Sequence, residues 1–567
     1  MISPAELQHE SLKIGAAPIV QHFMERLRLE ELFAEAVDSF ENRRGRPCSV
    51  LPSRSLCLMV ANVLLARSPL YGVLEWARSY APDFLPYAAD DIDCINDDRL
   101  GRALAKLHAS NTPHLLSRIA SRAIEEFELD LTQIHNDSTS ITFSGLYRNQ
   151  RPIDLDLPPP RITFGMNKDF RPDLKQLVYA LTITADGAVP IHFRVYDGNT
   201  SDDRTHLDTW AFVRKLVGSS DFVYIADCKL CSKVNLGMIA QNGGTFITVL
   251  PRTWSESKAL LHEVATKNLR WVAVRSGDDD PGQAAASVDE PEYMTLVRER
   301  KTKSGFRVLG FWSATKAQID CEAREAKIKN AIDQLSSRER ALSHKKDATK
   351  RDAEDEIKRI LKATGTAKFL NVSLTVEHRT LSTGERRRHF TFDTEEDHAA
   401  IRADEKCDGV FPLVTNHPEL KPDQVLHLYK MQPFIEKRFE QVKSVLDVPP
   451  IFLKRAERVA GLLFVSGVAL LVFALIERAL RQAMAVAHVK SLPLYHEERL
   501  CRAPTTNLIF QAVDDARRHH VRSRDGSINK TFHDPLSPVA RDVAKLLGVD
   551  LRHYGIEPDA EDAQPPS

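Results

Sequence analysis

LDLTQIHNDSTSITF, residues 129–143, decides how this chain is read. It is rich in threonine and isoleucine, whose branched side chains suit a pleated strand and lose freedom in a helix. Two more strand-like runs follow, QLVYALTIT (176–184) and AVPIHFRVY (188–196), with the hairpin signal Ala-Asp-Gly between them. DRTHLDTWAFVRKLVG (203–218) then reads as an amphipathic helix, and FVYIAD (222–227) as a short buried strand ending in an acid. The first three strands can pair as an antiparallel meander. The fourth returns through a helical crossover and so lies parallel to its neighbour.

That order opens a ribonuclease H-like fold, and the expected class is α/β, a mixed sheet flanked by helices. Its first part occupies residues 126–251. An insertion domain, 252–410, interrupts it with strand-like pieces (YMTLVRER, FRVLGFWS, FLNVSLTVEHR, RRHFTF) and a charged stretch from Lys316 to about Ala363. In that stretch the sparse apolar residues Ile328, Ile332, Leu335 and Leu342 suggest exposed helices, so the insertion reads as mostly β with a helical arm. The core resumes after GVFPLVTN and, with C-terminal helices, fills 411–555, leaving 556–567 as a disordered tail. Ahead of the core, residues 1–125 carry helical spacing in VQHFMERLRLEELF, RSLCLMVANVLLA and DDRLGRALAKLHA, with a basic NRRGRP loop between the first two. This region is either a plain helical bundle or a DNA-binding module of helix-turn-helix geometry.

Length and composition set the outer bounds. A chain of 567 residues should hold two to four domains. With 43% hydrophobic and 27% charged residues it reads as a soluble globular protein, neither disordered nor fibrous. A net charge of −1 says nothing about partners, since basic patches matter more than the sum. The eight scattered cysteines point to a reducing compartment, and Cys228 and Cys231 form a CxxC without the second pair that zinc requires. The polar N-terminus carries no signal-peptide pattern. Val459–Ile476 is apolar enough to reach the membrane-span threshold. Ser466, two glycines and dense flanking charge favour a buried core helix instead, and no membrane is expected.

The candidate chemistry rests on three acids. Asp137 lies in or at the end of the first core strand, where aspartate is otherwise depleted, although a turn would accommodate it equally. Asp227 closes a parallel strand, where open α/β sheets bind ligands, or it caps the next helix. In HLYKMQPFIEKRFEQVKSVL (427–446), Leu428, Ile435, Phe439, Val442 and Leu446 fall on one helical stripe within roughly 60° of arc. Tyr429, Gln432, Glu436 and Lys443 fall on the adjoining stripe, with Pro433 marking a helix start that leaves Tyr429 ahead of it. A Glu and a Lys seven apart also fit a solvated face. Three carboxylates would hold two Mg²⁺ or Mn²⁺ ions about 3.5–4 Å apart, Asp137 bridging both, for phosphodiester cleavage. Lys443 would meet a phosphate, and Tyr429 would stack on or hydrogen-bond to DNA.

The spacing Tyr429-x2-Gln432-x3-Glu436-x6-Lys443 resembles the Y-x2-R-x3-E-x6-K signature of DDE insertion-sequence transposases of the insertion-sequence-four type. HNDSTS resembles that family's first-acid block and IADCKLCSKVNL its second. GMNKDFRPDLKQ, CDGVFPLVTN, GAAPIVQHFMERLRLEELF, PLYGVLEWA and NDDRLGRALAKL resemble segments of a long-chain branch with a helical leader. The resemblance implies a ribonuclease H-like core with a β-rich insertion before the third acid. It implies cut-and-paste transposition, with Asp137, Asp227 and Glu436 as catalytic metal ligands and Tyr429, Gln432 and Lys443 at DNA. The implied partner is double-stranded DNA, as terminal inverted repeats and target, held by a homodimer in a bacterial cytoplasm at the nucleoid.

Two positions depart from the pattern. Gln432 replaces an arginine, so a phosphate contact would fall to Lys430 or Lys437, and Cys228 and Lys229 stand where Arg and Gly are usual. The rival readings are a structure-directed nuclease on the same core and a catalytically inactive transposase descendant that binds DNA. Asp278–Asp280, beside Pro-Gly, reads as a solvated turn, and His519 and His520 lack metal-ligand spacing.

Overall fold

The computed structural model describes residues 7–38, 50–87, 89–145, 147, 158–168, 171–274, 292–345, 347–380, 386–446, 453–523 and 525–557. The NRRGRP loop, Asp278–Asp280 and the tail from 558 onward lie outside the described residues. The fold is mixed α/β and divides into two compact units, one containing residues up to 246 and from 428, the other containing 247–274 and 292–427.

The first unit opens on a strand, β1 (Leu7–Lys13), which corrects the all-helical expectation for 1–125. Six helices follow: α1 (Ala17–Arg26), α2 (Leu29–Val37), α3 (Pro52–Leu65), α4 (Val73–Arg78), α5 (Asp97–Ala109) and α6 (Thr112–Phe127). Their starts are locally encoded. Pro52 opens α3, and the Asn96 and Asn111 side chains accept backbone N–H groups at the heads of α5 and α6.

Next come β2 (Gln133–Phe143), β3 (Lys175–Thr184), β4 (Pro190–Asp197), α7 (Thr205–Val217), β5 (Val223–Ala226) and α8 (Lys233–Gln241). The strand order is β4-β3-β2-β5, with β2 antiparallel to β3, β3 antiparallel to β4, and β2 parallel to β5. This is the pairing the element order requires, because the β3–β4 connection is a hairpin and β5 returns through α7. The hairpin turns through Gly187 and Ala188, both at positive φ.

The second unit carries β6 (Thr245–Val249, from its third residue on), α9 (Ser255–Thr266), β7 (Trp271–Ala273), β8 (Tyr293–Leu296), β9 (Arg300–Lys301) and β10 (Arg307–Ser313). The helices α10 (Ala314–His344) and α11 (Lys350–Thr364) follow, then β11 (Leu370–Thr380), β12 (Arg386–Glu396), α12 (His398–Glu405) and β13 (Val410–Thr415). Its sheet runs β6-β13-β10-β8-β7, and β11 and β12 form a separate antiparallel ribbon. Outside the two long helices α10 and α11, strand outweighs helix among its described residues. The anticipated arm is there: Leu335 and Leu342 of α10, with Ile357 and Ile360 of α11, bury against Phe390 and Phe392 of the ribbon. Ile328 packs beside Phe369 and Leu370, with Ile332 partly buried there. One apolar stripe on a charged helix suffices to seat it on a ribbon, and the other faces stay in water.

α13 (Pro422–Lys430) and α14 (Pro433–Leu446) lead back into the first unit, where α15 (Ala456–Val486) is the longest helix. α15 is long and apolar enough to cross a membrane, yet 94% of its most apolar window is buried. Around it pack α1, α3, α5, β4 and α14, together with α16 (Thr506–Ala512). The two glycines that interrupt its apolar run sit at close approaches. A Cβ on Gly461 would meet the Leu104 carbonyl at 2.5 Å, and one on Gly467 the Phe193 ring at 2.6 Å. The chain closes with β14 (Arg517–Ser523), β15 (Ile528–His533) and α17 (Pro538–Leu546), and β14 lies between β1 and β15 in a three-stranded antiparallel sheet.

Because α15 is the helix on which both the N-terminal helices and β4 rest, Leu471→Ala should be costly. Leu471 is fully buried, and a Leu→Ala change at such a site removes about 2–5 kcal/mol. Thermal unfolding should show a clearly lowered midpoint, whereas an unchanged midpoint would mean that the helix is not the centre of this core.

Candidate active site

The backbone register brings the first two acids together. In the parallel β2–β5 pair Asn136 stands opposite Ala226, so Asp137 and Asp227, each one residue further on, lie side by side. Neighbouring strands are about 5 Å apart. β5 ends at Ala226 while β2 runs on to Phe143, so the two carboxylates lie where the parallel pairing stops. Both are partly exposed. Asp227 Oδ1 accepts the Lys229 N–H at 3.0 Å, and Asp137 Oδ1 accepts the Ser138 N–H at 2.7 Å.

The third acid arrives on α14, which packs on β2 and β3. The buried stripe expected of this helix is present, with Leu428, Ile435, Phe439 and Val442 all buried, while the Leu446 side chain lies outside the described residues. The chain breaks between α13 and α14 at Met431–Gln432, as Pro433 dictates, leaving Tyr429 on α13 and Glu436 in the first turn of α14.

Gln432, at the break, is turned inward instead of toward a DNA ligand. It is 8% exposed, its Oε1 lies 3.1 Å from His135 Nδ1, and its Nε2 donates to the Asn136 carbonyl at 3.4 Å. The second bond fixes the amide orientation, so the His135 Nδ1–H is the donor in the first. Glu436 therefore stands one helical turn from a residue fastened to β2 just before Asp137. Arg438 fastens the same helix further along. Its buried guanidinium donates to the Ala188 and Gly187 carbonyls at 3.0 and 2.9 Å and lies 3.5 Å from Glu477 of α15. Arg478 of α15 pairs with Asp186 on the same hairpin.

Tyr429 reports how these groups share one environment. Its phenol is held well above the ordinary tyrosine range, first by burial and then by the negative charge of Asp227, Cys228, Asp137 and Glu436. All three acids thus act on one hydroxyl, which stays protonated and can donate to an anion. The Cys228 thiol is pushed up by burial and by Asp227 and drawn back by Lys229 and Lys168. Lys443 lies two turns beyond Glu436, about 10 Å along the helix, and is half-buried.

Sequence reasoning did not assign Lys168. Its ammonium lies 3.3 Å from Asp137 Oδ1 and donates to the Ser138 carbonyl at 2.6 Å and to Ser138 Oγ at 3.1 Å. The signal was its place in GMNKDFRPDLKQ. On the opposite face of β2 a neutral polar layer supports the strand. Asn136 Oδ1 accepts from Thr182 at 2.9 Å, and Asn136 Nδ2 and Tyr224 OH both lie within 3.3 Å of His206 Nδ1.

The donor set suits a hard divalent cation, because it offers carboxylate oxygens only, and one cation, the Lys168 ammonium, is already held at Asp137. Among the described residues no three His, Cys, Asp or Glu side chains close on a single point. Asp137 and Asp227 are the two acids that the strand register sets side by side, and Glu436 is exposed in the first turn of α14.

A model of a domain of unknown function, DUF4277, matches residues 9–121. No curated protein matches the chain. Among solved structures, the cryo-EM structure of the piggyBac transposase synaptic complex with hairpin DNA aligns at 10% identity and a TM-score of 0.28. That alignment covers 78% of this chain and 88% of the other. A likeness that weak fixes neither fold nor activity.

Two measurements test this geometry. Gln432→Ala leaves a buried His135 donor unpaired, so it should cost about 1–3 kcal/mol in denaturant unfolding. An outward-facing DNA contact would leave stability unchanged. Burial also lowers His135 to about 4 and, with Arg194 nearby, His192 to about 3. Below the ordinary histidine value near 6.5 the unfolded chain then binds more protons than the folded one. Stability should be full above that pH and fall as the pH drops toward 4. His192→Phe should flatten the slope between pH 6.5 and 5, and an unchanged slope would mean that this imidazole is not held neutral.

Proposed function

We propose that this chain is a DDE-type transposase of the insertion-sequence-four type that cuts and rejoins double-stranded DNA at the ends of an insertion sequence. The proposed core is ribonuclease H-like. The observation that carries this reading is the placement of the acids: Asp137 and Asp227 abreast on parallel strands, and Glu436 on a helix fastened to the first of them. The ordered succession of sequence blocks around the three acids supports it.

The reaction is phosphodiester hydrolysis followed by transesterification. Two Mg²⁺ or Mn²⁺ ions, when bound, would activate the attacking oxygen and stabilise the leaving oxyanion. Asp137 and Asp227 would hold them from the sheet, with Glu436 completing the set from α14. Tyr429, kept protonated, donates a hydrogen bond to a phosphate oxygen, and Lys443 supplies a point charge to a phosphate further along the strand. Gln432 takes no part in DNA contact and acts by holding α14 on β2. In the second unit the end of the β11–β12 ribbon exposes Arg379, Arg386 and Arg388, a basic end suited to a DNA backbone. Holding two element ends together calls for a homodimer, and DNA as substrate places the working enzyme at the nucleoid in the cytoplasm.

The decisive assay is cleavage of a plasmid carrying the element's ends, with Mg²⁺. Asp137→Asn, Asp227→Asn and Glu436→Gln should each bind the ends but cut at least about a hundredfold more slowly, the scale of losing one electrostatic contact to a transition state. Normal cutting by any one variant removes that acid from the site. A wild-type protein that binds the ends and never cuts them is an inactive descendant.

A further inference from the structure

Asp137 and Asp227 present a like-charge problem that exists before any substrate arrives. Two carboxylates abreast on adjacent strands repel, and a cation beside them relieves that repulsion. Lys168 meets that need. All three ammonium hydrogens have acceptors in Asp137 Oδ1, the Ser138 carbonyl and Ser138 Oγ, which is the full donor capacity of a lysine.

The backbone that delivers Lys168 is pinned. Gln176 donates to the Met166 and Gly198 carbonyls at 3.2 and 2.7 Å, and the Lys168 N–H donates to Ser140 Oγ at 3.2 Å. Gly165 lies so close to Gly198 that a Cβ there would stand 1.9 Å from its carbonyl oxygen. This backbone therefore has one position. The Lys168 side chain is 36% exposed and ends on a flexible four-carbon stem, so its charge can move although its anchor cannot.

We propose that Lys168 is an exchangeable counter-cation: it occupies the cation position at Asp137 in the metal-free protein and, displaced by a divalent ion, carries its charge to a phosphate of the bound DNA. This rests on the three-acid reading above and adds a substrate-binding residue to it. A dication outcompetes a monocation for carboxylate oxygens, and the displaced ammonium, still tethered, finds its replacement anion where the DNA strand must lie. The exchange also means that a cation lies at Asp137 at every stage.

The test is Mn²⁺ binding without DNA, by titration calorimetry, on wild type, Lys168→Met, Lys168→Arg and Asp137→Asn. Removing the competing ammonium should tighten Mn²⁺ binding by about tenfold in Lys168→Met, the equivalent of about 1.4 kcal/mol. Lys168→Arg should bind as wild type, and Asp137→Asn should lose binding. In the cleavage assay Lys168→Met should be at least tenfold slower at saturating metal, with rate recovered in Lys168→Arg. Lys168→Gln serves the same purpose if the methionine variant does not fold. Should Asp137→Asn lose Mn²⁺ while Lys168→Met binds it no tighter than wild type, the exchange is wrong and the three-acid site stands. Should Asp137→Asn bind as wild type does, the three-acid reading falls and the exchange falls with it.

Discussion

The pair of hydrogen bonds that Gln432 makes to His135 and to the Asn136 carbonyl is the constraint on which the site depends. It joins residues 297 positions apart and lies in a buried, low-dielectric setting where an unmade bond is expensive. The apolar stripe of α14 alone would not fix its rotation, because it tolerates some turning against the sheet. A directed polar bond does not. Glu436 follows one turn later, so the angular position of the third acid is inherited from the Gln432 amide.

A second fastening acts on the same helix from the other side. Arg438 and Arg478, from α14 and α15, reach the β3–β4 hairpin, and Glu477 lies between Arg438 and Arg481. Burying guanidinium groups is costly unless their donors are satisfied, and here backbone carbonyls and the carboxylates of Glu477 and Asp186 take up most of them, Arg478 Nε excepted. Breaking one partner would strand a charge, which makes the clamp specific even if its net contribution to stability is small. The buried mass of α15 stands behind it. The layer that carries the acids is thus held by directional polar contacts, and those contacts are held in turn by apolar burial.

Much of this was legible in the sequence because it is encoded locally. Residues 129–227 announce three strands, a helix and a strand through β-branched composition, Ala-Asp-Gly and helical spacing, and the structure pairs them in that sense. The arm's stripe of Ile328, Leu335 and Leu342 was legible for the same reason. What was not legible is long-range. β1 looks too polar for a core strand, and its partner β14 lies some 500 residues away, so no local signal speaks for the pairing. Lys168 was hidden because a lysine in a Gly- and Pro-rich connection reads as solvated, and only the fold reveals that Gly165 and Gln176 bring it to Asp137. Gln432 was misdirected by helical geometry. Its stripe position is shared with Glu436 and Lys443, but the break at Pro433 gives it a different direction.

That break also gives a physical reason for glutamine where the resembling signature has arginine. The side chain at 432 must accept from the His135 Nδ1–H and donate to the Asn136 carbonyl, and a carboxamide offers one acceptor and one donor in that arrangement. An arginine has donors only. It would require His135 to present a bare nitrogen and would place a guanidinium in a pocket whose burial already drives that imidazole to its neutral form. His135 and Gln432 are thus one unit in two segments, and the departure at 432 follows from the residue at 135. The electrostatic work of an arginine at that point must then come from cations on exposed stems, and at Asp137 the cation within reach is Lys168.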